Sequence, residues 1–199
     1  MPSHKIHIKI AQDINKTLKL DNDSIMLGSV LPDLTITKNH GLSHFQYKDE
    51  YPYNLANAEE FAKKYPYMKD DISIGYIIHL LTDRFYNDWF YNNYKLKGIS
   101  VNKEYKHKLF DSYDQYILRH FKLDKFNDIK VIDKIPNYTD LEFNKEYLEE
   151  YIIKFNNEID SIELNDKYVI DNIELLDNLY KECLSYVFRY LETKKDEKL

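Results

Sequence analysis

Glycine and proline are scarce in this chain of 199 residues, with four and five copies respectively. So few turn-forming residues predict helices joined by few, mostly polar loops. No segment alternates apolar and polar residues convincingly with period two, the pattern typical of a half-buried strand. The sequence therefore predicts an all-α helical bundle, in a chain long enough for one well-buried domain.

Cysteine is nearly absent as well, because Cys183 is the single copy. This excludes an intrachain disulfide and a thiolate metal cluster within one chain. No apolar stretch is long enough for a signal peptide or a transmembrane segment, so we expect a cytoplasmic protein. The formal net charge of −6 gives no basic footprint, so no nucleic acid is expected as a partner.

Apolar residues recur at helical spacing along most of the chain. The first stripe, which begins at Ile6 and repeats every four residues, predicts a helix over residues 4–19. A short second helix is predicted to begin at an Asp/Asn/Ser cap and to stop before Pro32. Residues 34–53 have the composition of a loop. Further helices are predicted over residues 54–65, 71–94, 102–121, 144–160 and 167–193.

The histidines divide the predicted single domain, residues 1–199, into two parts. All seven lie within residues 4–120, and the rest of the chain has none. Residues 1–121 are therefore expected to form the core of any metal site. The C-terminal helices of residues 122–199 are expected to pack behind that site or to cover it as a lid.

The segment HLLTDRF places His79 four residues before Asp83 in an almost wholly apolar helix. Side chains at positions i and i+4 share one face of a helix. A buried, unpaired carboxylate is costly, so something should compensate this one. The two side chains form either a hydrogen-bonded structural pair or part of a metal site. Zinc suits these ligands, and manganese or iron binds the same set.

A later helix carries a similar stripe of His107, Asp111 and Asp114. This stripe is either a solvated polar face, since lysines flank it, or part of a polar cavity like those in which helical bundles hold paired metals. Other candidates occur on the first helix and in loops. The number of candidates taken together, and not any single pair, favours a metal site. They are His4, His7, Asp33, His40 and His44.

Four short motifs, in this order, resemble the zinc-dependent phospholipase C family, which shares its all-α fold with single-strand-specific zinc nucleases. They are SHKIHIKIAQDI, GSVLPDL, SHF and GYIIHLLTD, and they lie ahead of the later His-plus-acid helix. The resemblance implies a zinc cluster in a cleft among helices, with Asp83 as a bridge between two ions. The ligands that it implies are His7, Asp33, His44, His79, Asp83, His107 and Asp114.

The chain departs from the secreted family members in several places. Residues 1–3 are Met-Pro-Ser, where those proteins begin with a tryptophan whose amine binds zinc. Asp88 stands in the region where the family has a further histidine. The family's later His-x-x-x-Glu pair is matched only by His107 with an aspartate. We therefore expect one to three zinc-class ions, with one or two favoured. The alternative ligands are His4, His40, Asp111 and His120.

The resemblance implies a metal-dependent phosphoesterase that hydrolyses a phosphodiester with water activated by a zinc-class ion. Asp33 is the candidate catalytic residue, which would activate or orient that water. The expected substrate is a small phosphorylated or phospholipid-type molecule. The alternatives are a nuclease-type phosphodiesterase and a non-catalytic, metal-stabilised helical binding protein. The motifs of nucleotide-binding loops and serine hydrolases do not occur.

Overall fold

The computed structural model describes residues 3–37, 40–46, 55–65, 70–95, 103–161 and 173–196. Within these ranges no strand occurs, which confirms the predicted all-α, single-domain bundle. The α-helices there are α1 (His4–Leu18), α2 (Asn22–Gly28), α3 (Leu31–Leu34), α4 (His40–Ser43), α5 (Ala58–Lys64), α6 (Asp71–Phe90), α7 (Lys103–His120), α8 (Lys145–Asp160) and α9 (Ile173–Asp196). A π-helical turn, Tyr91–Lys95, follows α6, and a 3₁₀ helix, Ile129–Lys134, precedes α8.

Polar caps fix where several helices begin. Asp21 caps α2 and Asp70 caps α6, each by accepting hydrogen bonds from backbone amides of the first turn. Asn57 and Asn144 cap α5 and α8 in the same way. These residues satisfy amides that have no partner within the helix, which is why short polar side chains mark helix starts in the sequence.

The structure differs from the predicted helices in several places, of which two lie near the candidate ligands. α2 ends at Gly28, and Pro32 lies in the first turn of the separate helix α3, where the missing amide of proline costs no helical hydrogen bond. The predicted loop 34–53 contains the short helix α4. The predicted start of the last helix, residues 167–172, lies outside the described residues.

The central element of the fold is α6, which is buried along most of its length. Helices α1, α2, α5 and α9 pack around it, and α7 packs against α1 and α9. Their apolar side chains form one core, which includes the buried thiol of Cys183 in α9. None of the helices in the described ranges is long and apolar enough to span a bilayer.

Two glycines let α2 and α6 cross in direct backbone contact. A Cβ atom at Gly28 would lie 2.1 Å from the carbonyl oxygen of Ile72, and one at Gly75 would lie 2.3 Å from that of Ile25. Neither position can hold a side chain unless a backbone moves. The crossing places the end of α2 beside the middle of α6, where the buried polar side chains of this helix lie.

The connection between α7 and the 3₁₀ helix is anchored by side chains of the first two helices. Gln12 donates to the carbonyl of Asp124 at 3.0 Å and accepts from its amide at 3.3 Å. The carboxylate of Asp23 accepts from the amides of Asn127 and Asp128 at 2.9–3.1 Å. A segment without any periodicity therefore has a fixed place in the fold.

Candidate metal centre

Five of the predicted ligands meet beside α6. His7 comes from α1, Asp33 from α3, His44 follows α4, and His79 and Asp83 project from α6. The side chains of the four residues other than Asp33 are at most 1% exposed, whereas that of Asp33 is 12% exposed. Because they come from four separate segments, the packing of the helices brings these side chains together.

The candidate ligand atoms have the spacing expected around a single ion. His44 Nε2 lies 3.1 Å from His79 Nε2 and 3.3 Å from Asp83 Oδ2. It also lies 3.4 Å from Asp33 Oδ1. His79 Nε2 lies 3.7 Å from Asp83 Oδ2 and 4.0 Å from Asp33 Oδ2. Ligand atoms about 2.0 Å from a tetrahedral zinc ion are about 3.3 Å apart, so His44, His79 and Asp83 have the spacing of three ligands to one zinc-class ion.

His7 faces the other oxygen of the Asp83 carboxylate. Its Nε2 lies 3.4 Å from Asp83 Oδ1, while His44 and His79 approach Oδ2. The rings of His7 and His79 stack with centroids 4.0 Å apart. Two overlapping groups can therefore hold an ion, His7 with His79 and Asp83, and Asp33 with His44 and His79. The arrangement allows Asp83 to contact an ion with each oxygen.

Several buried atoms of this cluster lack hydrogen bonds within the described part of the chain. Both carboxylate oxygens of Asp83 and both ring nitrogens of His7 are buried, and their contacts at 3.3–3.4 Å do not have hydrogen-bond geometry. An unsatisfied buried polar group costs about 1–3 kcal/mol, and folded proteins contain few of them. A cation would satisfy these lone pairs, so the residues fit the metal that the resemblance implies.

A backbone carbonyl fixes the tautomer of His79. Its Nδ1 lies 2.8 Å from the carbonyl oxygen of Ser29, just after α2. A carbonyl only accepts hydrogen bonds, so Nδ1 carries the proton and Nε2 keeps its lone pair toward the cluster. Burial, followed by the neighbouring His7, lowers the pKa of His79 to about 3. The ring is therefore neutral, which is the form of imidazole that binds metals.

His44 holds the positive charge of the cluster in the chain without bound metal. Burial lowers its pKa, but the carboxylates of Asp33 and Asp83 outweigh burial and raise the pKa to about 9. Its Nδ1 lies 3.0 Å from Ser43 Oγ, and the Ser43 carbonyl accepts a hydrogen bond from Tyr76. Burial also opposes ionisation of Asp83, yet the surrounding imidazoles hold its pKa well below the usual range. A proton on His44 thus partly neutralises the buried carboxylates.

The cluster reaches solvent on the side of Asp33 and His4. His4 Nε2 lies 3.4 Å from Asp33 Oδ2, and the His4 side chain is 32% exposed. The ring of His4 meets that of Tyr151 edge-on, with centroids 5.2 Å apart. Helix α8 therefore forms one side of this opening. Nothing in the sequence singles out Tyr151, because no local pattern distinguishes it from the other tyrosines.

The structure does not bring Asp114 to the other predicted ligands. Its Oδ2 lies 3.6 Å from Lys5 Nζ, which also donates to Glu158 Oε1 at 2.7 Å. Burial raises the pKa of Asp114 to about 6, against the attraction of Lys5. The sequence predicted this aspartate as a ligand from the stripe that it shares with His107 and from the resemblance to the phospholipase C family. Lys5 of α1 lies against this aspartate instead.

The remaining candidates lie apart from the cluster or outside the described side chains. His107 is in α7 and His40 in α4, but both of their side chains lie outside the described residues. Asp111 and His120 are exposed on α7, and the His120 ring packs on Tyr116 with centroids 4.9 Å apart. The role of His107 as a ligand stays a prediction.

Comparisons of the chain with protein-family models, with curated proteins and with solved structures find no match. The resemblance to zinc-dependent phospholipase C therefore stays a prediction from sequence motifs. The geometry of the cluster beside α6 is observed in the structure and does not depend on that resemblance. Two overlapping groups of three side chains there, His7 with His79 and Asp83, and Asp33 with His44 and His79, bring their ligand atoms within 4.8 Å of one another.

Proposed function

We propose that this protein is a metal-dependent phosphoesterase that binds a zinc-class ion and hydrolyses a small phosphorylated or phospholipid-type phosphodiester. The observation that carries the proposal is the spacing of 3.1–3.7 Å among His44 Nε2, His79 Nε2 and Asp83 Oδ2. Zinc accepts this mixed set, as do manganese and iron. When bound, such an ion polarises phosphoryl oxygens and lowers the pKa of water.

The side chains of the cluster divide between holding the ion and serving the reaction. His44, His79 and Asp83 are buried and hold the ion. Asp33 differs, because its carboxylate reaches solvent and lies 3.4 Å from the imidazole of His4. Its Oδ1 lies 3.4 Å from His44 Nε2, and its Oδ2 lies 3.4 Å from His4 Nε2 and 4.0 Å from His79 Nε2. Asp33 is therefore suited to orient a water at the opening, take its proton and pass that proton to His4.

Two alternatives use the same cluster. A nuclease-type phosphodiesterase would need the same ion, but the net charge of −6 opposes a polyanionic substrate. A helical binding protein without turnover would use Asp33 as a further ligand, since its oxygens lie 3.4 Å from His44 Nε2 and 4.0 Å from His79 Nε2. Sites closed by four protein ligands are typical of structural zinc.

The first experiment measures bound metal per chain by elemental analysis. We expect about one equivalent of zinc-class metal in the wild type, and its loss in Asp83→Asn and His79→Gln, because each removes a ligand atom. His120→Gln is the matched control, since this exposed histidine of α7 lies apart from the cluster. Full metal content in the His79→Gln protein would contradict the proposed centre.

The second experiment separates the enzyme from the structural site with Asp33→Asn. We expect this protein to keep its metal and to lose about 10²-fold in the hydrolysis of bis(p-nitrophenyl) phosphate, because an amide cannot take a proton. Loss of metal in the same variant would make Asp33 a ligand. A metal-loaded wild type without phosphodiesterase activity would favour the binding protein.

A further inference from the structure

Tyr151 of α8 carries a buried hydroxyl on a ring that contacts His4 at the opening of the cluster. The hydroxyl exposes less than 1 Å² and meets no hydrogen-bond partner within the described part of the chain. Buried tyrosine hydroxyls usually have a partner, and an unsatisfied one costs about 1–3 kcal/mol. The group is therefore a donor in need of an acceptor that the described protein atoms do not provide.

Aromatic contacts hold the ring of Tyr151 in place. One side meets His4 edge-on at 5.2 Å, and another stacks on Phe155, one turn further along α8, at 6.3 Å. His4 in turn contacts the carboxylate of Asp33 at 3.4 Å. The ring thus belongs to the solvent side of the cluster, with its direction fixed before any ligand arrives.

The surroundings of the hydroxyl keep it protonated. Burial is the main cause that raises the pKa of Tyr151 well above its usual value, and Asp33 is the charged group that contributes most, ahead of Glu158 and Asp114. The hydroxyl does not hydrogen-bond to any of these carboxylates. It is therefore a neutral donor close to Asp33 throughout the physiological pH range.

The nearby cation is already engaged. Lys5 donates to Glu158 at 2.7 Å and lies 3.6 Å from Asp114. Both carboxylates raise its pKa although burial opposes them, so the ammonium group is held in this ion pair. For an anion bound beside His4, the phenol of Tyr151 is therefore the donor on α8, because Lys5 is held by Glu158 and Asp114.

We propose that Tyr151 is a substrate-binding residue, whose hydroxyl donates a hydrogen bond to an oxygen of a phosphate group held at the metal centre. This inference rests on the proposed function. A neutral donor recognises a phosphoryl oxygen without adding charge to a site that the metal ion already neutralises. The hydroxyl also favours ligands that place an oxygen acceptor within hydrogen-bond distance of this position on α8.

The test compares inorganic phosphate binding by three zinc-loaded proteins, the wild type, Tyr151→Phe and Tyr147→Phe, by titration calorimetry. Tyr151→Phe removes only the hydroxyl, and we expect its phosphate dissociation constant to rise about tenfold at unchanged zinc content. Tyr147→Phe is the matched control, one turn earlier on α8 with 47% of the residue exposed, and should bind phosphate like the wild type.

A second readout follows the tyrosine absorption itself. Phosphate should perturb the ultraviolet spectrum of the zinc-loaded wild type, and Tyr151→Phe should lose that difference. Three results would each overturn the role of Tyr151 and leave the proposed function standing. They are equal phosphate affinity in Tyr151→Phe and the wild type, a retained difference spectrum in Tyr151→Phe, and loss of zinc from Tyr151→Phe. A zinc-loaded wild type that neither binds phosphate nor hydrolyses a phosphodiester would overturn the proposed function as well.

Discussion

Asp114 illustrates at the residue scale how burial and charge oppose each other near the cluster. Burial is the main cause that raises its pKa from 3.8 to about 6, while Lys5 acts in the other direction. A carboxyl group whose pKa is higher in the folded state binds protons more tightly there. Its contribution to the free energy of unfolding is therefore fully present below about pH 3.8 and is lost as the pH rises through about 6.

Asp114→Asn should remove this loss of stability. We expect urea unfolding of the metal-free proteins to show this as a difference in the free energy of unfolding between variant and wild type. That difference should shift in favour of the variant by on the order of 1–2 kcal/mol from about pH 4 to about pH 7.5. Lys5 keeps its partner Glu158 in the variant. Glu150→Gln, which changes an exposed carboxylate of α8, is the control. A difference between Asp114→Asn and the wild type that is the same at both pH values would contradict the prediction.

At the scale of single helices, α6 presents Gly75, His79 and Asp83 at successive intervals of four residues on one face. The glycine lets α2 approach, and the histidine then meets the carbonyl of Ser29 at the end of that helix. The aspartate, one turn further, meets the imidazoles of the other segments. The crossing of two helices and the orientation of a candidate ligand are therefore one structural feature.

Gly75→Ala should weaken both the fold and the metal site. The added Cβ lies 2.3 Å from the carbonyl oxygen of Ile25, so α2 must move, at a cost of about 1–3 kcal/mol in urea unfolding. The same movement disturbs the bond from His79 to Ser29, so zinc affinity should fall about 10–100-fold. Ser29→Ala is the comparison, because it keeps the backbone carbonyl and should retain zinc affinity. Unchanged zinc affinity in Gly75→Ala would contradict the prediction that the helix crossing orients His79.

Local signals explain why most helices are predictable from the sequence. The caps Asp21 and Asp70 act on amides within three residues, and apolar periodicity needs only the helix itself. The pair His79 and Asp83 is visible for the same reason. Pro32 misleads, because proline is excluded from the interior of a helix but is accepted in its first turn.

Contacts between distant segments explain what the sequence does not reveal. The pairing of Lys5 with Asp114 and the approach of Gly28 to Gly75 depend on how helices pack, which no short motif encodes. Tyr151 is one of nineteen tyrosines, and only the fold places it beside His4. Short motifs therefore predict the five side chains that converge beside α6, but they do not predict the residues around them.

At the scale of the whole molecule, the N-terminal helices organise the C-terminal half. Asp23 accepts hydrogen bonds from residues 104 and 105 positions further along the chain, and Gln12 binds a residue 112 positions away. These bonds position the segment that leads into α8, which carries Tyr151 to the opening of the cluster. The C-terminal part of the chain thus takes its place from the part that holds the candidate ligands.

Asp23→Ala should destabilise the protein by about 2 kcal/mol, because it leaves the amides of Asn127 and Asp128 without their carboxylate acceptor. Zinc content should stay unchanged, since Asp23 is not among the candidate ligands. Asp160→Ala is the control, because its ion pair with Lys125 is exposed and should contribute less than about 1 kcal/mol. Equal effects of both changes on the urea midpoint would refute the anchoring role.

The glycine crossing of α2 and α6 also has an evolutionary consequence. Neither Gly28 nor Gly75 can acquire a side chain while the crossing stays as it is, so a descendant that keeps the centre has to keep both glycines. Divergent relatives should therefore share a two-part signature even where overall similarity has faded. Its first part is glycine followed five residues later by aspartate. Its second part is glycine followed by histidine after four residues and by aspartate after eight.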